Sequence, residues 1–253
     1  MKAEPVAQAR LLDLQELDSE LERLDHRLHN LPEIAEVAEL KQRADALEAD
    51  LMTSQTKASD IQRHQRKAES DVDQVRTRAD RNAKRLDSGA ITNAKDLQNL
   101  QSEIESLGRR QTELEEVVLE VMEEAETVNA DVVRLGEERE AAVAKVTEVT
   151  ARRDTAAAEI QWDRTRVKQD RERVSGDIPD ELMKLYDKLR DQYDGVAAAP
   201  LRYGRCNGCK LALSTMELNE IRAAAADEIV RCEDCRRILV RTEESGLNAP
   251  VAE

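Results

Sequence analysis

The sequence has no phenylalanine, one tryptophan and three tyrosines among its 253 residues, an aromatic content of 2%. A globular core of that length would draw on aromatic side chains for buried area. Their scarcity excludes one large core and leaves the packing to Leu, Val, Ile and Ala. Proline is nearly as rare. Between Pro32 and Pro179 there is none, and only Gly89, Gly108, Gly136 and Gly176 punctuate that stretch. Helix interiors exclude Pro and disfavour Gly, so the whole stretch is free to be helical. No apolar run approaches the length that spans a bilayer. Residues 1–14 lack the apolar segment of a secretion signal. The expectation is a cytoplasmic chain with no membrane partner.

Charge is what the sequence has in excess: 37% of residues are charged and the net charge is −15. From Arg202 to Arg241 there are eight Lys/Arg and six Asp/Glu, a net of +2, so the remainder carries −17. An acidic surface of that kind repels phosphate backbones. So much charge would fit a disordered chain if periodicity were absent, but it is not. Leu11, Leu14, Leu17, Leu21, Leu24, Leu28 and Leu31 form an unbroken seam at alternating steps of three and four. Pro32 breaks it. It resumes through Val37, Leu40, Ala44, Leu47 and Leu51 and weakens through Ile61, Val72, Val75 and Leu86. From Leu114 to Val174 it is interrupted only by Arg139, Arg153, Asp163 and Asp170. A 3.6-residue period would drift out of this frame, so the seam predicts a coiled coil. Asp87-Ser88-Gly89-Ala90 is a turn signal, with Thr92 and Asn93 as candidate N-caps. It divides the seam into arms of similar length, which predicts an antiparallel intrachain hairpin rather than a parallel dimer.

The four cysteines fall in one pattern, Cys206-Asn-Gly-Cys209 and Cys232-Glu-Asp-Cys235. Two such knuckles supply a tetrahedron of thiolates from two tight turns, the pattern of a structural zinc site. A disulfide pair and an iron site of the same geometry are the alternatives. Four thiolates would close the coordination shell, and the segment has no histidine, so the Zn2+ ion is read as structural and single. Ser214-Thr-Met-Glu217 reads as a capping box opening a short helix. Residues 228–231 and 238–242 read as strands, which makes a zinc ribbon with a helical insertion.

Several segments resemble a bacterial family of coiled-coil hairpins that end in a four-cysteine zinc ribbon. They are Ile178-Pro-Asp-Glu-Leu182, Tyr186-Asp-Lys-Leu-Arg190, Gly195-Val-Ala-Ala-Ala-Pro200, Cys206-Asn-Gly-Cys-Lys-Leu-Ala-Leu213, Leu218-Asn-Glu-Ile-Arg222 and Val230-Arg-Cys-Glu-Asp-Cys-Arg-Arg-Ile-Leu239. Asn93-Ala-Lys-Asp-Leu-Gln-Asn-Leu-Gln-Ser-Glu-Ile104 is similar to the family's motif near the hairpin tip. The chain departs from the family at Lys210 and Arg236, where Gly often follows the second cysteine, and at Asp96-Leu97, where Glu-Tyr is usual. The resemblance implies kinship with the chlamydial and flagellar proteins that bind a sigma factor and export-apparatus components. One branch is tied to messenger RNA binding.

The expected architecture is therefore mainly α: a hairpin over residues 1–175 with a helix break near 32 and a turn near 87–92. A short helix and linker over 176–200 (with 196–200 a linker or short strand), a zinc ribbon over 201–243 and a flexible tail over 244–253 complete it. The expected function is that of a non-enzymatic adaptor whose partners are proteins. Arg76, Arg78, Arg81, Lys84, Arg85 and Lys95 make the hairpin tip basic on an acidic rod and are its candidate docking residues. The alternative partner is RNA or DNA, met by Arg202, Arg205, Lys210, Arg231, Arg236, Arg237 and Arg241 of the ribbon. Against it, stacking aromatics there are limited to Tyr203. Trp162 is expected to pack beside the seam, and His26, His29 and His64 to be surface residues. There is no Gly-rich phosphate loop, nucleophile with a base, or carboxylate dyad, so no small-molecule substrate is expected.

Overall fold

The structure is a computed structural model that describes residues 1–247. Its elements run α1 (Pro5–His29), α2 (Pro32–Asp87), α3 (Ala94–Gly176), α4 (Asp180–Gln192), β1 (Ala198–Arg202), β2 (Arg205–Cys206), α5 (Thr215–Ala223), β3 (Val230–Arg231) and β4 (Ile238–Arg241), and end in a 3-10 turn, Glu243–Ser245. They form two compact units, Ala35–Thr150 and the remainder, Met1–Ile34 with Ala151 onward. No helix among the described residues is long and apolar enough to cross a membrane.

The unit 35–150 is an antiparallel helical hairpin. Ion pairs join its arms in falling order: Glu48 with Arg139, Lys57 with Glu124, Arg78 with Glu103. Partner numbers that rise on one helix as they fall on the other define an intrachain antiparallel pair. On α3 the buried residues Val121, Val128, Leu135, Ala142 and Val149 recur every seventh position, as a coiled-coil seam requires. Ile61 packs with Val121 and Val128, flanked by Ala58 and Ala125. α2 ends at Asp87, and Gly89 takes a left-handed φ of +66° in the turn. Asn93 then caps α3, its Oδ1 accepting from the Lys95 amide at 3.0 Å.

The other unit gathers both ends of the described chain. Leu21, Leu24, Ile160 and Val167 continue a seam between α1 and the end of α3. Closer to the N-terminus, α1 packs on α4 and the sheet through Leu11, Leu14, Leu182, Tyr186, Leu189, Ala198, Ile238 and Val240. The sheet has the order β2-β1-β4-β3, with β1 and β4 parallel and both outer pairs antiparallel. Because side chains alternate across a strand, β1 and β4 serve two cores. Ala198, Ile238 and Val240 face the helices, whereas Ala199, Leu201 and Leu239 face Cys206, Cys232 and α5.

A buried polar network stitches this unit together. Gln15 Oε1 accepts from the amides of Ala197 and Ala198 at 2.7 and 3.2 Å, and its Nε2 donates to the Gly195 carbonyl at 2.8 Å. The Asp18 carboxylate accepts from Arg171 at 2.6 and 3.3 Å and from the Tyr186 hydroxyl at 2.8 Å. The N-terminal residues also join: Ala3 N donates to Asp227 O, Ile229 N donates to Met1 O, and Lys2 bridges to Glu228.

Of the two readings of residues 196–200, linker or short strand, the structure has the strand: Ala198–Arg202 lies at the centre of the sheet, and Ala197, Ala198 and Ala199 are all at most 3% exposed. Two expectations are corrected here. The tail expected from 244 begins instead as the 3-10 turn, with Ser245 buried and Leu247 packed against the ribbon core; residues 248–253 of that expectation lie outside the described residues. Trp162 does not pack on the seam. It is 68% exposed, with the Arg166 guanidinium 5.5 Å above its ring.

Candidate metal centre and docking surfaces

Two loops of the same build present the cysteines. In the first, the Lys210 amide donates to the Cys206 carbonyl and the Cys206 amide to the Leu211 carbonyl. In the second, the Arg236 amide donates to the Cys232 carbonyl and the Cys232 amide to the Arg237 carbonyl. Such a knuckle closes only if the residue after its second cysteine turns left-handed. Lys210 and Arg236 do so, at φ +63° and +59°. These are the two positions where the family often has Gly, so the departure is in residue type and not in backbone path. Gly208 is needed for another reason: a Cβ there would sit 3.0 Å from both Ala199 Cβ and Arg237 Cδ.

The loops bring all four Sγ atoms within 4.8 Å of one another. Cys206 Sγ lies 3.8 Å from Cys235 Sγ, and Cys209 Sγ 3.9 Å from Cys232 Sγ. A tetrahedral ion with Zn–S bonds of about 2.3 Å has sulfur–sulfur edges of about 3.8 Å, so the residues present fit zinc. All four are free thiols, two of them buried. Burial raises the Cys206 thiol above its ordinary value and pushes that of Cys232 up to about 12, against the amides of each knuckle that donate to sulfur. Burial also works upward on Cys235, but hydrogen bonds from the Arg237 amide and the neighbouring thiols outweigh it, and the net direction is down. A divalent cation is the natural counter-charge for such a cluster, since metal binding deprotonates its thiol ligands. Four thiolates fill the shell, and the ion would be structural.

The ribbon arginines are largely occupied within the fold. Arg241 donates to the carbonyls of Ala224, Ala225, Ala226 and Glu228, capping the end of α5. Arg237 donates to Val196 O and Tyr193 O, tying the second knuckle to the end of α4. Arg231 donates to Arg236 O, Arg202 pairs with Glu244, and Lys210 bonds Asn207. Only the Arg205 and Arg236 side chains of the proposed nucleic-acid set make no such contact among the described residues. Around the hairpin turn the pattern is the reverse. Arg76, Arg78, Arg81, Lys84, Arg85 and Lys95 are all exposed, and among the described residues only Arg78 of these has an ion-pair partner, Glu103.

Sequence reasoning missed the polar network and the pairing of residues 1–3 with 227–229. Gln8, Gln15 and Asp18 share the buried side of α1 with its leucines, and that polar stripe was the available signal.

Comparison with known proteins matches both parts of the chain. A family profile described as the CT398-like coiled coil hairpin domain matches residues 14–194, and one described as the C4-type zinc ribbon domain matches residues 205–239. An uncharacterized protein of Mycobacterium tuberculosis is 36% identical over 243 residues, covering 96% of this chain and 98% of its own length. One from Mycobacterium leprae is 28% identical over 86% of this chain and 93% of its own. A solved structure from Mycobacterium smegmatis superposes with a TM-score of 0.83 at 35% identity, covering 96% of this chain and all of that one. The structure of CT398 from Chlamydia trachomatis shares the fold, with a TM-score of 0.68 at 17% identity over 93% of this chain and 98% of that one.

Proposed function

From the premise that the chain belongs to the CT398-like coiled-coil hairpin family with a C4-type zinc ribbon, we propose that it is a non-enzymatic, cytoplasmic adaptor. Its partners are proteins, docked at the hairpin tip and on the ribbon. The observation that carries this reading is the contrast in how the two basic sets are used. The tip cations are exposed and, among the described residues, all but Arg78 lack an ion-pair partner, whereas most of the ribbon's basic groups are held by internal carbonyls and carboxylates. Exposed cations flanked by acidic helices provide electrostatic complementarity to an acidic protein surface. The zinc chemistry supports the same reading, because a four-thiolate shell has no open position for a substrate.

Against the ribbon-centred nucleic-acid reading, Arg205 and Arg236 alone of its set have no internal partner among the described residues, and the six Asp/Glu between Arg202 and Arg241 nearly cancel the positive charge that phosphate neutralisation needs. The test is capture from the native lysate with the tagged, zinc-loaded chain, with and without nuclease. Alongside it runs a variant carrying Arg76→Glu, Arg81→Glu and Arg85→Glu. Recovery of one or two proteins that survives nuclease and is lost in the variant is the expected result. Material lost on nuclease treatment would transfer the function to nucleic acid.

A further inference from the structure

A groove of about 510 Å³ runs between α5 and β3 on the ribbon and reaches Glu233 of the second knuckle. Its floor includes Leu213, Ile221 and Val230, and its rim carries the carboxylates of Glu220, Glu228 and Glu233. All three are exposed, and none is in an ion pair or side-chain hydrogen bond among the described residues. Glu217, also on the rim, is already spent in the capping box with Ser214. Of the lining residues described, Arg231 is the one cation, held by the Arg236 carbonyl, and Arg241 at the border is held by the carbonyls of Ala224 and Glu228. The groove wall on one side is β3, an outer strand of the four-stranded sheet.

The chain itself shows what this edge accepts. Residues 1–3 lie extended against 227–229, immediately before β3, with two backbone hydrogen bonds, and Lys2 Nζ sits 3.0 Å from Asp227 Oδ2. A lysine-bearing extended segment is thus already paired to the acidic border of the ribbon. Val230 and Arg231 continue that border, with no further strand beyond them among the described residues.

We infer that the groove between α5 and β3 binds an extended, lysine- or arginine-rich peptide segment of a partner protein, added as a strand at β3. An added strand places alternate side chains on opposite faces. Glu228 and Val230, two residues apart, share the α5 face of the strand, so successive side chains of the added segment on that face would set an aliphatic residue over Leu213, Ile221 and Val230 and cations beside Glu220, Glu228 and Glu233. The inference rests on the docking role proposed above and supplies the chemistry of one partner segment.

The probe is a labelled hexapeptide, Lys-Thr-Val-Thr-Lys-Thr (the Lys/Val peptide), which carries Lys, Val and Lys on one face of a strand and is followed by fluorescence anisotropy with the full zinc-loaded chain. Three comparisons accompany it: the Glu/Val counterpart, the Lys/Val peptide N-methylated at alternate amides, and two charge-reversed proteins. One protein carries Glu220→Lys, Glu228→Lys and Glu233→Lys in the groove, the other Glu116→Lys, Glu120→Lys and Glu123→Lys on the shaft. The Lys/Val peptide should bind, with the Glu/Val and N-methylated peptides at least about tenfold weaker. The groove variant should lose about tenfold or more and the shaft variant no more than roughly twofold. Equal loss in the two variants would reduce the binding to general attraction by an acidic chain. Full affinity of the N-methylated peptide would remove the strand pairing, and absence of binding would remove the site; each overturns the inference. The two peptide arms need no variant to fold. Capture of partners through the basic tip is read separately, so failure of the groove leaves the adaptor reading standing, and failure of both removes it.

Discussion

Replacing Asp18 by alanine should loosen the unit that holds the zinc ribbon without touching a cysteine. The Asp18 side chain is 1% exposed and is the meeting point of α1, α3 and α4. Its carboxylate receives Arg171 Nε at 2.6 Å and the Tyr186 hydroxyl at 2.8 Å, with Arg190 at 3.6 Å. Removing it leaves the Tyr186 hydroxyl one long contact, to Gln15 at 3.3 Å, at a cost of about 1–3 kcal/mol. Arg171 loses its main partner and keeps Asp187 at 3.7 Å. One-sided loss of a buried pair costs about 3–5 kcal/mol, and the Arg171 side chain is 22% exposed, so water recovers part of that. The lower end, about 3 kcal/mol, is the expected total and corresponds to roughly a hundredfold in an opening equilibrium. The amides of Ala197 and Ala198 report it locally, since both donate to Gln15 in the same network. Their hydrogen-exchange protection in the zinc-loaded chain should fall about a hundredfold in Asp18→Ala and less in Asp18→Asn, which keeps an acceptor for Tyr186. Protection within about threefold of the wild type would show that the network contributes little and that burial alone holds the helices to the sheet.

Alkaline titration should isolate Tyr186. Burial first, then the Asp18 charge, raise its phenol well above the ordinary value near 10. A raised folded-state value means that its contribution is intact below about pH 10 and is lost as pH climbs further. Ultraviolet difference absorbance should therefore show one of the three tyrosines ionising only as the fold is lost, a late component absent from Tyr186→Phe. At the knuckles, Arg236→Gly should retain zinc against a chelator as well as the wild type. Arg236→Val should lose it faster, because a β-branched residue at φ +59° is strained by about 1–2 kcal/mol. Gly208→Ala should weaken the first knuckle by about 1–3 kcal/mol through its 3.0 Å approach to Ala199, read as faster metal release. Charge reversal at Arg76, Arg81 and Arg85 should move the melting temperature very little, the cost staying within about 0.5 kcal/mol, because these are exposed surface positions.

How much of this was legible in the sequence depended on whether the signal was periodic. The seam was legible because a coiled coil spends one residue in every three or four on the same interface, and Val121 through Val149 repeat that choice at each turn of the pattern. The knuckles were legible because thiolate geometry dictates their spacing. The sheet centre was legible only as a linker or short strand. Ala197, Ala198 and Ala199 have neither branched nor aromatic side chains to announce a strand. They are small because Gly208 and α1 crowd them, a tertiary reason that leaves no local trace. The return of residues 1–3 to 227–229 likewise has no periodicity, since a contact across the length of a chain is carried by a few backbone groups. Trp162 differs: its place near the seam suggests local packing there, and the helix instead turns it outward to stack with Arg166.

The most direct test of the account is the metal content of the intact chain, purified without added metal, followed by hydrogen exchange before and after chelation. One zinc per chain is predicted, with chelation exposing the amides of Cys206, Lys210, Cys232 and Arg236 together, because both knuckles close on the same ion. A chain that carries no zinc and keeps those four amides protected would contradict it, and would leave the ribbon as a fold held by its two apolar cores alone.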